Sequence, residues 1–447
     1  MESKKPVDLL SATSIVAASM IGAGVFTTSG YTLTSLQSPG LVVLAWIVAG
    51  IIAICGAICY GALAGKFAES GGEYLFLSKM IHPVAGMMAG WVSLLAGFTG
   101  AMALAATTFS EYLSPFLSWE SAEPESIALT KTIVACGIVI LMAILHTLGV
   151  KVGTRVQDTV VILKFLLIAG FVGVAGYVLF ATGLLDSIAA ANTLAEESVE
   201  TPQEPTQPII IRFATQLVWI SLSYSGFQAA VYVAGEVKDA KRNVPRAMYL
   251  GTILVTIAYL LLNAIFVFGT PGSEIMEQKQ VATLSANAIG GSRFELFTRV
   301  VILICLVTSV SALTITGPRV YSKMADDGFL PAVLRFKEGT SPARSIWMQA
   351  VLAIIVISIS QLPDLLGYLG FTLSISAALT AGLLFFNSEL RRNVPMYPIP
   401  AVVFVFGTLL TASLGAWGNP IQAFVAVGTI AFGAAMYPFF KSKSVQD

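Results

Sequence analysis

Long apolar stretches dominate this chain, and short polar or Pro- and Gly-bearing breaks divide them. A hydrocarbon core about 30 Å thick takes roughly 20 apolar residues per helical crossing. On that measure the pattern predicts helices at 9–36, 40–66, 84–113, 127–149, 155–182, 210–235, 246–270, 293–323, 346–361, 363–388, 398–417 and 420–440. The expected architecture is an all-α integral membrane protein of twelve transmembrane helices, with little chain left for a soluble domain. Only Gln361 to Asp364 separates the ninth helix from the tenth, so eleven crossings stay open if Pro363 kinks a single helix.

Composition agrees with the pattern. Of 447 residues, 56% are hydrophobic and 11% charged, a balance that a water-exposed surface does not carry. Lys plus Arg equals Asp plus Glu at 25 each, so no net charge points to nucleic acid. Placement of the charges says more. With both termini on one side, nineteen basic residues share that side, from Lys4 and Lys5 through Lys238, Lys241 and Arg242 to Lys441 and Lys443. Five fall on the other: Lys131, Arg212, Lys279, Arg293 and Arg299. Basic residues collect on the cytoplasmic face, so an even number of crossings of the plasma membrane with cytoplasmic termini is expected. The stretch from Met1 to Ala12 lacks a small-residue cleavage site and reads as the approach to a retained first helix.

An acidic stretch with Glu196, Glu197, Glu200 and Glu204 and no basic residue predicts an extracellular linker over 183–209. It separates residues 1–182 from 210–388, two blocks of five predicted helices each, and 389–447 adds helices 11 and 12 with a tail. Five is odd, so the second block inserts upside down relative to the first, as in inverted-repeat carriers.

Each block opens on a helix interrupted by small residues. The first reads Ser19-Met20-Ile21-Gly22-Ala23-Gly24-Val25-Phe26 and the sixth Ser221-Leu222-Ser223-Tyr224-Ser225-Gly226-Phe227-Gln228. Glycine costs up to about 1 kcal/mol inside a helix, and an unwound turn frees N–H and C=O groups that lipid cannot satisfy. Close helix packing accounts for a single such site; matched breaks in two inverted halves point to a binding site. N–H groups at a half-helix start suit a carboxylate, and freed carbonyls suit an ammonium. A zwitterionic amino acid presents both.

Five segments, in order, are similar to stretches of the amino acid-polyamine-organocation (APC) superfamily of transporters. They are Ile21-Gly22-Ala23-Gly24-Val25-Phe26; Ser70-Gly71-Gly72-Glu73-Tyr74; Ser223-Tyr224-Ser225-Gly226-Phe227 with Ala234-Gly235-Glu236-Val237-Lys238; Asn243-Val244-Pro245-Arg246-Ala247; and Gly317-Pro318-Arg319-Val320-Tyr321 running on to Asp326-Asp327-Gly328-Phe329-Leu330-Pro331. The resemblance covers nearly the whole chain and implies a LeuT-like fold with helices 1 and 6 broken. It implies a substrate carboxylate on the backbone of Gly22, Ala23, Gly24 and Val25, and an amine near Ile21 and the carbonyls of Leu222, Ser223, Tyr224 and Ser225. Gly226 belongs to the same stretch, and side-chain selectivity falls to residues near Leu222, Tyr224 and Phe227. Relatives carry a gating phenylalanine where this chain has Leu222, which leaves Trp219 or Tyr224 as the aromatic lid.

One basic residue, Lys164, lies inside a predicted span, nine positions past Arg155 and so about 13 Å along the helix. A charge at that depth costs about 3 kcal/mol on the insertion scale and marks function, unless the side chain snorkels to the surface. The resemblance implies that its ammonium stands where sodium-coupled relatives hold a cation, bridging Gly22 to helix 8 hydroxyls, with Thr308, Ser309 and Ser311 as candidates. A permanent charge there fits sodium-independent exchange, and a charge lost on burial fits proton-coupled uptake. No acidic residue lies in the presumed pocket segments, so small neutral amino acids are the expected substrates, with cationic amino acids or polyamines as the alternative.

Other signals point away from chemistry. Gly61-Ala62-Leu63-Ala64-Gly65-Lys66 has three residues between its glycines where a phosphate loop needs four, and no strand precedes it. His82 and His146 stand apart from other ligating residues, so no metal and no cofactor is expected. Cys55, Cys59, Cys136 and Cys305 sit in apolar runs as small hydrophobes. Some exchanger relatives are disulfide-linked to a single-span glycoprotein through a cysteine after helix 3; residues 111–126 contain none, so that partner is not expected. An embedded enzyme would want a His, Asp or Glu set at membrane depth, and a channel a repeated ring of filter residues; the spans offer neither. Oligomeric state stays open.

Overall fold

A computed structural model describes residues 7–67, 69–117, 124–148, 150–188, 207–335 and 341–441. The acidic residues Glu196 to Glu204 of the expected linker, and Lys4, Lys5, Lys337 and Lys443, lie outside the described residues. Among the described residues the secondary structure is helical, and β pairing is confined to an isolated bridge between Val7 and Val237. Ten described helices are long and apolar enough to cross a membrane, and two shorter apolar ones, Ile209–Tyr224 and Ala343–Ile359, stand where the sixth and ninth crossings are expected.

The first helix is broken into α1 (Leu9–Met20) and α2 (Gly24–Leu36) and is followed by α3 (Pro39–Lys66). Asp8 caps α1 by accepting the Ser11 N–H at 2.9 Å, and Ser38 caps α3 with Pro39 in its first turn. A short helix absent from the hydropathy reading, α4 (Gly72–Met80), precedes a composite third span: α5 (Pro83–Val92), a π-helical stretch Ser93–Gly100 and α6 (Ala101–Leu113). Then come α7 (Pro124–Thr147), α8 (Val150–Ala181), the second broken helix with α9 (Ile209–Tyr224) and α10 (Ala229–Tyr232), α11 (Ala240–Phe268), α12 (Val281–Asp326), α13 (Ala343–Ile359), α14 (Leu362–Gly382), α15 (Ile399–Gly418) and α16 (Pro420–Lys441).

Three boundaries depart from expectation for physical reasons, and the division of the ninth helix from the tenth agrees with it. The ninth and tenth helices are separate, because Ser360 and Gln361 are extended and Pro363 sits in the first turn of α14, where a missing N–H has no partner to lose. α11 begins at Ala240 and not at 246, since Pro245 is accommodated in its second turn. α12 reaches back to Val281, where an outer helix meets the span at a kink centred on Gly291, φ 70° and ψ −170°. Beyond Tyr224 the sixth helix is far shorter than 210–235: a turn is followed only by α10 and a 3-10 turn, Ala234–Glu236.

Helix α1 packs against α8, α10, α11 and α12, while α3 runs along α11, so both breaks lie inside the bundle. Trp46, Tyr60, Tyr224 and Tyr259 are fully buried around them. The outer face of α16, with Ile421, Phe424, Val427 and Phe439, is apolar and exposed, as a lipid-facing surface should be.

Candidate functional site

The first break is a three-residue unwinding. Ile21 leaves the helix at φ −76° and ψ 86°, the Gly22 N–H turns back to the Met20 carbonyl at 2.8 Å, and α2 starts at Gly24. The opening N–H groups of α2 therefore have no carbonyl one turn behind them. In the second break Ser225 is extended and Gly226 takes φ +101°, a left-handed conformation that favours glycine. The two breaks touch. A Cβ built on Gly24 would lie 2.2 Å from Ser223 Oγ and 3.1 Å from its Cα, and one built on Gly226 would lie 2.8 Å from the Ser19 carbonyl oxygen.

A small cavity of about 70 Å³ opens between them. Of the residues singled out in sequence, Gly22, Ala23, Gly24, Leu222, Ser223, Ser225, Gly226 and Ser309 line it. The Ser19 and Ser223 hydroxyls, on opposite breaks, also line it and are buried without a hydrogen-bond partner. Such groups are costly unless something pairs with them.

Several expected residues point elsewhere. Ile21 and Val25 are buried but do not line the cavity. Tyr224 turns to donate its hydroxyl to the Trp46 carbonyl at 3.1 Å, and Phe227 packs on Tyr60 and Phe404. Both face a second, smaller cavity on the far side of the sixth helix, bounded by α3, α14 and α15. Trp219 packs edge-on against Tyr31 and lines neither cavity. Phe227 alone lies beyond the unwound turn, where helical spacing does not continue through Ser225 and Gly226.

Lys164 is 0% exposed. Its ammonium donates to the Ile21 carbonyl at 2.7 Å and to Thr308 Oγ1 at 3.3 Å, so it joins the end of α1 to α12. Ser309 instead sits under Gly22, and Ser311 pairs with His146 at 2.8 Å. A second tie was not anticipated: the Tyr259 hydroxyl lies 2.6 Å from the Met20 carbonyl and 3.0 Å from that of Ser223. One proton thus serves a freed carbonyl of each break. With Ile21, Met20 and Ser223 carbonyls already engaged, fewer acceptors remain for an ammonium than the sequence suggested.

The sequence reading also missed Phe98 and Tyr232, the aromatic rings of the cavity wall, and Glu73. Phe98 comes from the π-helical stretch, and π segments cluster at functional sites. Glu73, expected in a loop, is 3% exposed, lines the cavity, and accepts hydrogen bonds from Tyr60 at 2.5 Å and Ser376 at 2.8 Å. The presumed pocket segments carry no acidic residue, as expected, but Glu73 reaches the cavity from outside them.

The segments leading away from the two breaks are tied to their neighbours. Tyr112 donates to the Phe26 carbonyl at 2.9 Å, and Thr34 accepts from the Glu277 N–H at 2.8 Å, fixing α2. At the other end Arg319 clasps Glu236 through two bonds, at 2.6 and 3.0 Å, and Val7 pairs with the backbone of Glu236 and Lys238. Among the described residues no group of three or more His, Cys, Asp or Glu could hold a metal ion; His82 caps α5 through Val84.

A family profile described as amino acid permease matches residues 7–439. The chain is 25% identical over 443 residues to the Large neutral amino acids transporter small subunit 2 of Homo sapiens, covering 97% of this chain and 80% of that protein. It is 26% identical over 416 residues to the b(0,+)-type amino acid transporter 1 of Mus musculus, covering 91% and 82% respectively.

Proposed function

Because the chain belongs to the amino acid permease family, whose members are transporters and not enzymes, we propose that it is a secondary carrier of small, neutral L-amino acids across the plasma membrane. It works by alternating access around the two broken helices, in a frame of two inverted five-helix blocks with cytoplasmic termini. The observation that carries this reading is the contact of the two breaks around a cavity bearing free N–H groups and two unpartnered hydroxyls. The α-carboxylate docks on the N–H groups of Ala23 and Gly24, the Gly22 N–H being held by the Met20 carbonyl, with the Ser19 and Ser223 hydroxyls, and the ammonium takes a carbonyl left free at the α9 end. Ala101, Leu104, Ala105 and Leu313 on the wall favour a small apolar side chain.

Lys164 acts as a fixed ammonium in place of a coupling cation, which supports sodium-independent transport. Opening to one side requires the Tyr112 and Thr34 ties on α2 to part, and opening to the other requires the Arg319–Glu236 clasp and the Val7 pairing to part. The human relative's name speaks of a small subunit; here the cysteines lie in α3, α7 and α12 and residues 111–126 have none, so a disulfide-linked partner is not proposed.

The test is counterflow in liposomes holding the purified chain. Unlabelled neutral amino acid inside should accelerate entry of the labelled one, with or without sodium. Absence of acceleration across a panel of amino acids contradicts the carrier reading, and a requirement for sodium contradicts the role given to Lys164.

A further inference from the structure

The Ser70-Gly71-Gly72-Glu73 turn is the bed on which the second half of the sixth helix lies. Ser70 Oγ accepts the Gly235 N–H at 3.0 Å, and Gly72, at φ +59°, passes so close under Tyr232 that a Cβ there would lie 2.1 Å from the ring. Tyr232 in turn meets Gln228 at 3.5 Å, and the Gln228 side-chain carbonyl oxygen accepts the Gly226 N–H at 3.3 Å. A polar chain therefore runs from the break in the sixth helix to the residue beside Glu73.

Glu73 itself is sealed by hydroxyls and not by a cation. Tyr60 from α3 and Ser376 from α14 each bond one carboxyl oxygen. Tyr232 from α10 is the other titratable group nearby. α5 carries no titratable side chain. On α14 Tyr368 bonds Thr429 and Asp364 meets Gln422, and at the end of α12 Lys323 and Asp327 pair with each other, with Tyr74 also on Asp327. On α4 itself Lys79 is paired with Glu69. Among the described residues no basic side chain forms an ion pair with Glu73. Burial pushes its carboxyl above the usual carboxylate range, against the opposing pull of the two hydroxyl donors. An uncompensated charge in such a place is neutralised most cheaply by a proton.

We propose that Glu73 is the proton-binding group of the transport cycle, taking one proton from the side to which the cavity opens and releasing it on the other, so that substrate and proton move together. This rests on the carrier reading and chooses proton-coupled uptake over plain exchange. Protonation removes the charge facing Tyr232 and so alters the seat of the second half of the sixth helix at each turnover. Proton binding to the carboxylate forms the neutral acid, and its loss restores the carboxylate; no other bond changes.

The test uses the full chain in liposomes with a pH-sensitive dye inside and L-alanine, L-leucine and L-lysine as probes. Entry of a neutral substrate should acidify the lumen, and uptake should fall about tenfold per pH unit above the carboxyl's midpoint. Glu73→Gln should abolish lumenal acidification and flatten the pH profile of counterflow, Glu73→Asp should keep both, and Tyr60→Phe, which removes a donor to the carboxylate, should move the midpoint upward. Should Glu73→Gln fail to insert, the carboxyl stretch of the wild-type protein, followed by infrared difference spectroscopy, must change on adding substrate. Net uptake by the wild type without acidification overturns the proposal and, with counterflow intact, leaves the carrier standing, whereas no counterflow at all sinks the carrier. A proton flux that survives in Glu73→Gln, an unresponsive carboxyl stretch, or selective loss of L-lysine alone, which marks a side-chain subsite, also overturns it.

Discussion

The close approach of the two breaks makes Gly24→Ala an informative substitution. The new methyl would meet Ser223 Oγ at 2.2 Å, Cβ at 3.0 Å and Cα at 3.1 Å. The hydroxyl can rotate away, but the two carbons cannot, so the broken helices must separate by a few tenths of an ångström. Overpacking of this kind costs about 1–3 kcal/mol. If the same separation loosens the grip on a zwitterion held by both breaks, affinity falls by about 5- to 150-fold. Scintillation proximity binding on the purified protein measures this. In a Ser223→Gly background the Oγ and Cβ are gone and only the backbone carbon at 3.1 Å still faces the methyl. The same substitution should cost much less there, and the double-mutant cycle isolates the coupling. Gly137→Ala, with nothing within 4 Å of the new Cβ, is the control. Unchanged affinity in Gly24→Ala, or an equal loss in both backgrounds, would show that the breaks do not grip the ligand together.

Four further outcomes are expected. Lys164→Ala leaves the buried Ile21 carbonyl unpaired, an uncompensated group worth about 1–3 kcal/mol, and should abolish uptake while membrane insertion, followed by size-exclusion profile, persists; near-normal uptake removes the role given to it. Tyr259→Phe takes away the proton shared between the Met20 and Ser223 carbonyls and should slow counterflow about tenfold; an unaltered rate shows that the tie is idle. Glu236→Gln strands Arg319, 7% exposed, and with the carboxylate itself a quarter exposed the loss should be about 2 kcal/mol, read as a lower melting temperature. Glu389→Gln, which breaks an exposed pair with Lys66, should leave that temperature nearly unmoved.

Much of the fold was legible because lipid imposes a length on every apolar run, and the breaks were legible because glycines at 22, 24 and 226 interrupt such runs. What stayed hidden has physical causes. The π turn at Ser93–Gly100 is made of residues equally at home in an α-helix, so nothing in their spacing marks it. α4 is nine residues long and opens on two positive-φ glycines, which read as a loop; Glu73 was lost with it. Phe227 follows the turn at Ser225 and Gly226, so its direction depends on backbone angles that periodicity does not encode. Thr308 and Ser311 stand one turn apart and are equivalent by sequence; only the approach of His146 from α7 decides that Ser311 is taken and Thr308 is left for Lys164.

Transport by this route requires that a single small zwitterion sit between the two broken helices. A cryo-EM map of the full chain, purified with the neutral amino acid that gives the strongest counterflow, would show whether it does. Ligand density is expected in the cavity between 22–24 and 222–226, with its carboxylate end on the N–H groups of the first break. Density confined to the second cavity beside Tyr224 and Phe227, or a first helix running unbroken past Gly22, contradicts this mode of binding.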